Sequence, residues 1–275
     1  MSATVAGLLA EARARGIDRL DAQLLLAGVL SQPRTWLIAH DDAPVGAEQA
    51  TCWRQQLDRR AAGEPLAYIL GEKEFHGLVL QVDPAVLVPR PDTETLVDWA
   101  LDLLRGPLGA VKTPRVIDLG TGSGAIALAV KRAHGAADVT AIDASAAALS
   151  VAWRNAQRLG LPIKLRAGDW WGAAESRRFE LALANPPYIA DDDAHLAALA
   201  HEPRTALAAG ADGLDAIRCI VAGAPAHLAP GGWLLLEHGH DQAPDVRTLL
   251  ERAGFADVQS RADLVGIDRC SGGRR

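Results

Sequence analysis

At 275 residues, 49% of them apolar, the chain is long enough for one large domain beside a small one, with a sizeable buried core. A net charge of −6 argues against bulk nucleic acid as the main partner. No apolar stretch reaches the length of a membrane span or follows a basic start, so membranes are not expected and the cytoplasm is the expected compartment.

Residues 1–73 read as a small helical domain. Leu8, Leu9 and Ala12 recur at helical spacing, Asp21 stands as a cap ahead of Leu24, Leu25 and Leu26, and Trp53 and Leu57 lie one turn apart. Gly63 followed by Glu64-Pro65 stops the last of these helices. Residues 74–91 read as a connector, in which the β-prone pieces Leu78-Val79-Leu80 and Val86-Leu87-Val88 flank Asp83-Pro84 and predict a β-hairpin.

From residue 92 to 275 strands and helices alternate. Val116 to Leu119 is predicted as strand, Ala125 onward as helix, and Val139 to Ile142 as strand. Ser145 caps a helix ending near Gly160, and Ile163 to Leu165 and Phe179 to Ala184 are strands. A helix around Ala216 to Leu228, a strand from Trp233 to Glu237 and a helix ending near Gly254 follow. Ala256 to Gln259 and Leu264 to Ile267 have no helix between them and should close the sheet as an antiparallel pair. The alternation predicts an α/β fold with a doubly wound, mostly parallel sheet.

Cys52, Cys219 and Cys270 are too scattered for a disulfide framework or a zinc motif. The eight histidines, His238 and His240 among them, show no ligand spacing, so no metal is expected.

Two motifs carry chemistry. The first is the turn Gly120-Thr121-Gly122-Ser123-Gly124 between a strand and a helix. There glycines allow close backbone approach and the helix start offers oriented N–H groups. Its Gly-x-Gly-x-Gly spacing lacks the last gap of the dinucleotide fingerprint, so a nicotinamide cofactor is disfavoured. Asp143 ends the next strand, where a carboxylate accepts both ribose hydroxyls of an adenosine-containing cofactor, or else merely flanks the helix at Ser145. Asp169 and Trp170 end the third strand as an acceptor and an apolar wall for adenine, whereas Trp171 reads as core.

The second motif is Asn185-Pro186-Pro187-Tyr188, directly after an apolar strand. Two prolines force a turn without N–H donors, leaving the Asn185 side-chain oxygen and a backbone carbonyl to face a substrate NH2 group, with Tyr188 stacking on it. In a doubly wound sheet both motifs face one crevice at the carboxyl ends of the strands.

These residues resemble class I S-adenosylmethionine methyltransferases, and among them the PrmC or HemK family of release factor glutamine methyltransferases. The resemblance runs nearly end to end: Asp21 to Leu26, Gly63 to Phe75, Val88-Pro89-Arg90-Pro91-Asp92-Thr93-Glu94, the glycine turn, Asn185 to Tyr188, Glu202 to Leu207 and Leu264 to Arg269. The family's pattern departs at Asp92, His76 and Ala209-Gly210. The resemblance implies a Rossmann-like fold and S-adenosylmethionine as cofactor. It implies peptide chain release factors as protein substrate, methylated at the glutamine of a Gly-Gly-Gln loop, with the amino-terminal helices helping to dock them. Arg90 is then either a solvated linker charge or a substrate-positioning residue. Asn-Pro-Pro-Tyr is shared with adenine and guanine methyltransferases, which keeps a nucleic-acid substrate as the alternative, although no stable nucleic-acid complex is expected. A monomer is expected.

Overall fold

The computed structural model describes residues 3–275. Met1 and Ser2, which the sequence pattern assigns to the helical domain, lie outside the described residues. Two compact units divide the chain, Met1–Glu72 and Lys73–Arg275.

The first unit contains β1 (Ala3–Thr4), α1 (Val5–Ala14), α2 (Arg19–Leu30), α3 (Arg34–Ala39), β2 (Pro44–Val45), α4 (Ala47–Ala61) and α5 (Leu66–Leu70). β1 pairs with β2, and Leu8, Leu25, Leu26, Trp53 and Leu57 are buried together beneath the helices. The cap of α2 differs from expectation. Asp18 lies outside the first turn with extended backbone and accepts the N–H groups of Leu20 and Asp21, at 2.7 and 3.4 Å. Asp21 is already inside that turn, and its carboxylate pairs with Arg60 of α4 at 2.7 Å.

Next in the chain is a hairpin of β3 (Glu72–Phe75), all but the first residue of which belongs to the second unit, and β4 (Leu78–Gln81) across the two-residue turn His76-Gly77. The predicted second strand at Val86 to Val88 is instead irregular. Asp83 ends the pairing there by accepting the N–H of Ala85 through its side chain at 2.9 Å and that of Val86 through its carbonyl at 3.1 Å.

The remaining elements are α6 (Glu94–Arg105), β5 (Arg115–Leu119), α7 (Ala125–Ala133), β6 (Asp138–Asp143), α8 (Ala146–Leu159), β7 (Lys164–Ala167), β8 (Phe179–Ala184), α9 (Asp215–His227), β9 (Leu228–Glu237), α10 (Ala243–Arg252), β10 (Ala256–Ala262) and β11 (Asp268–Arg274). Seven strands form one sheet in the order β10-β11-β9-β8-β5-β6-β7. β9, β8, β5, β6 and β7 run parallel, and β11 and β10 are antiparallel. Side-chain alternation covers both faces. Val116, Leu181, Leu183 and Leu235 pack with α6 and α7, while Ile117, Leu119, Ala182, Ala184 and Leu236 pack with α9 and α10.

The final strand is not where the apolar pattern places it. Leu264 and Val265 are 103% and 79% exposed in a loop held by Asp263, whose Oδ1 accepts the N–H groups of Val265 and Ile267 at 3.0 Å each. β11 is the polar, glycine-bearing stretch that follows. Its glycines are required by close packing: a Cβ on Gly272 would stand 2.4 Å from Leu235 Cδ2 and 2.7 Å from the Leu234 carbonyl oxygen.

Candidate active site

Strand register brings the two motifs together. Leu119 pairs with Ile142 on one side and with Ala184 on the other. Gly120, Asp143 and Asn185 therefore leave the sheet level with one another, at the point where the strand order reverses. Above them lies a cavity of about 500 Å³, lined by Gly120 to Ser123, Asp143, Trp170, Asn185 and Pro187, and by Arg90 and Thr93 of the segment before α6. That volume is within the usual range for a small-molecule site.

The glycine turn is built on backbone hydrogen bonds. The N–H groups of Gly120 and Thr121 both donate to the Ile142 carbonyl at 2.9 Å, and that of Gly122 donates to Asp143 Oδ2 at 2.8 Å. Asp143 Oδ1 accepts from the N–H of Ser145 at 2.8 Å. Each carboxylate oxygen keeps a lone pair for a further donor. Gly120 has φ 76°, and a Cβ there would meet the Trp170 ring at 3.3 Å. Trp170 itself adopts φ 43° and lines the cavity with Asp169. Trp171, by contrast, is buried, stacks on His227 and donates its Nε1–H to the Ile220 carbonyl at 2.8 Å.

Two supports of this turn were not anticipated. Asp118 is wholly buried; its Oδ2 accepts the Thr121 hydroxyl at 2.6 Å and the N–H of Ala127 at 3.2 Å, while Oδ1 has no hydrogen-bond partner. Burial pushes its carboxyl up to about 7, with nearby Asp143 adding to the effect and the Thr121 and Ala127 bonds opposing it. Asn155, also buried, donates to the Ser123 and Gln81 carbonyls at 2.9 and 3.0 Å and accepts the N–H of Gln81 at 2.7 Å. It thereby ties the turn to β4.

The Asn-Pro-Pro-Tyr segment is held differently. Asn185 Nδ2 donates to Thr93 Oγ1 at 3.1 Å, so its Oδ1 is left for the cavity. Pro187 lines the cavity and Pro186 is buried. Tyr188 does not reach the large cavity but borders a smaller depression of about 70 Å³ that shares Arg90 and Asn185 with it. The hydroxyl of Tyr188 donates to Glu237 Oε1 at 3.4 Å, and its carbonyl accepts Gln242 Nε2 at 3.0 Å.

Burial pushes Glu237 up to about 7; Asp92 adds to this, and Thr93, Tyr188 and Arg269 oppose it. Its Oε2 has no hydrogen-bond partner. Arg90 is ion-paired to Glu202, whose other oxygen accepts the N–H of Val88 at 3.1 Å. Arg90 is thus a held charge at the rim. Nothing in the sequence pattern singled out Thr93, Asp118, Asn155 or Glu237. The available signal was a carboxylate in each of two otherwise apolar strands.

Residues 4–71 match the model of the PrmC N-terminal domain and residues 93–212 that of the methyltransferase small domain. A release factor glutamine methyltransferase of Bordetella pertussis is 52% identical over 261 residues, 94% of this chain and 95% of that protein. Another, from Burkholderia pseudomallei, is 51% identical and spans 99% of this chain and 96% of its own length. Among solved structures, the hMettl16 catalytic domain in complex with a 3'UTR hairpin superposes with a TM-score of 0.57 at 15% identity, over 82% of this chain and 81% of that one. A T. thermophilus 16S rRNA methyltransferase solved with AdoMet and guanosine gives 0.55 at 22% identity, over 74% of this chain and 49% of that one. These two likenesses concern the fold.

Proposed function

The chain belongs to the release factor glutamine methyltransferase family, and on that premise we propose that it methylates the side-chain amide nitrogen of the glutamine in the Gly-Gly-Gln loop of peptide chain release factors. It is a methyltransferase, and its cofactor is S-adenosylmethionine. The observation that carries the substrate assignment is the Asn185 amide. Its NH2 is occupied by Thr93, and its oxygen is left at the junction of the large cavity and the small depression.

The residues present fit the cofactor. The glycine turn leaves room where a side chain would strike Trp170, and Asp143 keeps lone pairs for ribose hydroxyls. Gly120 to Gly124, Asp143, Trp170 and Asn185 would hold it, and when bound it supplies an electrophilic sulfonium methyl group. An amide nitrogen is a poor nucleophile because its lone pair is delocalised, so the work of the protein is placement. Holding the nitrogen in line at near-attack distance contributes about 7–11 kcal/mol.

As positive charge grows on that nitrogen, the Asn185 oxygen and a backbone carbonyl of the Pro186-Pro187 turn become better partners for its protons. An ester or alcohol would leave those acceptors unpaired, at about 1–3 kcal/mol each. No histidine or glutamate lines the large cavity among the described residues, and the proton leaves to water after transfer. Arg90, fixed by Glu202, and Tyr188 at the small depression position the substrate. The helices of residues 1–73 dock the release factor, and the protein works as a cytoplasmic monomer without a stable nucleic-acid complex. Among the described residues no helix is long and apolar enough to cross a membrane.

Radiolabelled methyl transfer to purified release factors tests this reading, with Gln→Asn at the acceptor as control. Label should enter the native factor and not the control. Label entering DNA or RNA in preference would favour an exocyclic-amine methyltransferase instead.

A further inference from the structure

The proline turn that carries the acceptors cannot anchor itself. Pro186 and Pro187 have no N–H to give, so the turn rests on its flanks. At the near flank Asn185 Nδ2 donates to Thr93 Oγ1 at 3.1 Å. At the far flank the peptide group between Tyr188 and Ile189 is gripped from two sides. Its N–H donates to the Leu207 carbonyl at 2.9 Å, and its carbonyl accepts from Gln242 Nε2 at 3.0 Å. The same NH2 group donates to the Asp212 carbonyl at 3.2 Å, and Gln242 Oε1 accepts the N–H of Gly239 at 2.8 Å. Only one orientation of the Gln242 amide satisfies all three partners: turned over, its oxygen would face two carbonyl oxygens and its NH2 an N–H.

The base of this grip is rigid. Gln242 directly precedes α10; its N–H donates to the Gly239 carbonyl at 3.1 Å and its carbonyl accepts the N–H of Val246 at 3.0 Å. Val246 and Leu250 of that helix are wholly buried. His238, also buried, donates Nδ1–H to the Gly239 carbonyl at 2.9 Å; a carbonyl only accepts, so the ring proton is on Nδ1. Gly213, at φ 73°, lets its backbone come close, since a Cβ there would collide with the Tyr188 carbonyl oxygen and stand 2.9 Å from Gln242 Nε2. A Tyr188 carbonyl occupied in this way is closed to a substrate, which leaves the backbone acceptor to the two prolines.

We propose that Gln242 is a positioning residue for the methyl transfer: it fixes the Tyr188 carbonyl, and with it the turn whose acceptors face the NH2 group to be methylated. Gln242 lines neither the large cavity nor the small depression, so it acts on the reaction through the Asn-Pro-Pro-Tyr backbone. A turn loosened at one end lets those acceptors drift, and such a geometric error is felt most in the transition state. The proposal rests on the amide-methylation reading above.

Gln242→Glu tests it, because the shape and the acceptor for Gly239 remain while an oxygen replaces the donor to both carbonyls. Turnover on a release factor at about pH 8, where an ordinary glutamate is ionised, should fall at least about tenfold. KM for the factor and Kd for the cofactor should stay within about threefold. Gln242→Ala, which removes the grip without adding repulsion, should lose about three- to tenfold in turnover. Val246→Ala is the control for stability: it weakens the packing of the same helix without touching Tyr188. Its melting temperature should drop by several degrees while its turnover stays within about twofold of native. A second readout needs no substrate. In a ¹H–¹⁵N correlation spectrum the Ile189 and Gly213 amides, which share peptide groups with the Tyr188 and Asp212 carbonyls, should shift in both Gln242 variants and stay near their native positions in Val246→Ala. Native turnover in Gln242→Glu, unmoved Ile189 and Gly213 amides, or a turnover loss shared equally by Val246→Ala would each overturn the proposal, as would an equal loss of cofactor affinity. If the native protein leaves release factors unmethylated, the substrate assignment fails, and the two amide signals still decide whether Gln242 fixes the turn.

Discussion

The two halves of the site stand on the same kind of foundation and are built of different material. Beneath the glycine turn is Asp118 and beneath the Asn185 segment is Glu237. Both are buried carboxyls pushed up to about 7, and each has one oxygen without a hydrogen-bond partner. Above Asp118 the surface is the backbone of a contiguous turn, fixed by the Gly120, Thr121 and Gly122 N–H groups that donate to Ile142 and Asp143. Above Glu237 it is side chains: Thr93 from the segment before α6, and Asn185 and Tyr188 from the segment after β8, far from it in the chain. A cofactor common to many reactions can be held by a local, backbone-made cradle. The group to be modified has to be told apart from others, and on the proposed reading that task falls to side-chain donors and acceptors whose direction depends on neighbours.

The sharpest way to break the comparison is Asn185→Ala. Turnover should fall about 1,000-fold, by analogy with losing one preorganised polar partner of a transition state. Cofactor affinity measured by calorimetric titration should weaken far less, by about tenfold at most, since Asn185 is one of several residues around that ligand. Equal losses in both would erase the distinction between the halves.

Next in size is the pH response of the two foundations. Each folded carboxyl titrates near 7, above its ordinary value of 3.8 for Asp118 and 4.5 for Glu237, so the unfolded chain ionises first as pH rises. The associated stability is fully present below the ordinary value and is lost as pH climbs through 7. Groups facing Glu237 are Thr93, Tyr188, Asp92, Arg269 and Cys270; those facing Asp118 are Thr121 and Asp143. Denaturant titrations at about pH 4.5 and about pH 7.5 should show the native protein losing up to about 3 kcal/mol relative to Glu237→Gln or Asp118→Asn. Identical slopes in native and variant proteins would mean that these carboxyls are not raised.

Smaller again is Asp143→Ala. It removes the acceptor of the Gly122 N–H and the acceptor proposed for ribose hydroxyls, so cofactor binding should weaken by about 10- to 100-fold, equivalent to about 1.4–2.8 kcal/mol. Turnover at saturating cofactor should stay near native. The smallest effect belongs to Gly120→Ala, which combines positive φ with contact against Trp170. A loss of about 1–2 kcal/mol in thermal stability and a modest weakening of cofactor binding are expected by scanning calorimetry.

The contrast between the halves also explains how much of the site was legible in the sequence. Gly120 to Gly124 and Asn185 to Tyr188 are contiguous, and each follows a strand marked by an apolar run, so local pattern was sufficient to place them at one crevice. Thr93 and Glu237 have no local signature of their role, because their meaning is a contact across the fold. β11 was hidden for another reason. Ser271-Gly272-Gly273 has little side chain to form a pattern, since neighbouring side chains fill that space, while Leu264 and Val265 imitate a strand and are an exposed turn. The hairpin shows the same limit, because Val86 to Val88 have strand-like side chains and no strand to pair with.

Leu119, Ile142 and Ala184 lie at one height where β5, β6 and β8 finish within a residue of one another, and that near-level finish acts as a ruler for the molecule. Inserting a single residue within β8 would send every later side chain of that strand to the opposite face, carrying Asn185 away from Thr93 although the sheet itself could still assemble. Length changes beyond Ile189 leave the ruler intact. Attempts to retarget this scaffold to other amides should therefore begin in the segment after Ile189 and leave the strand ends as they are.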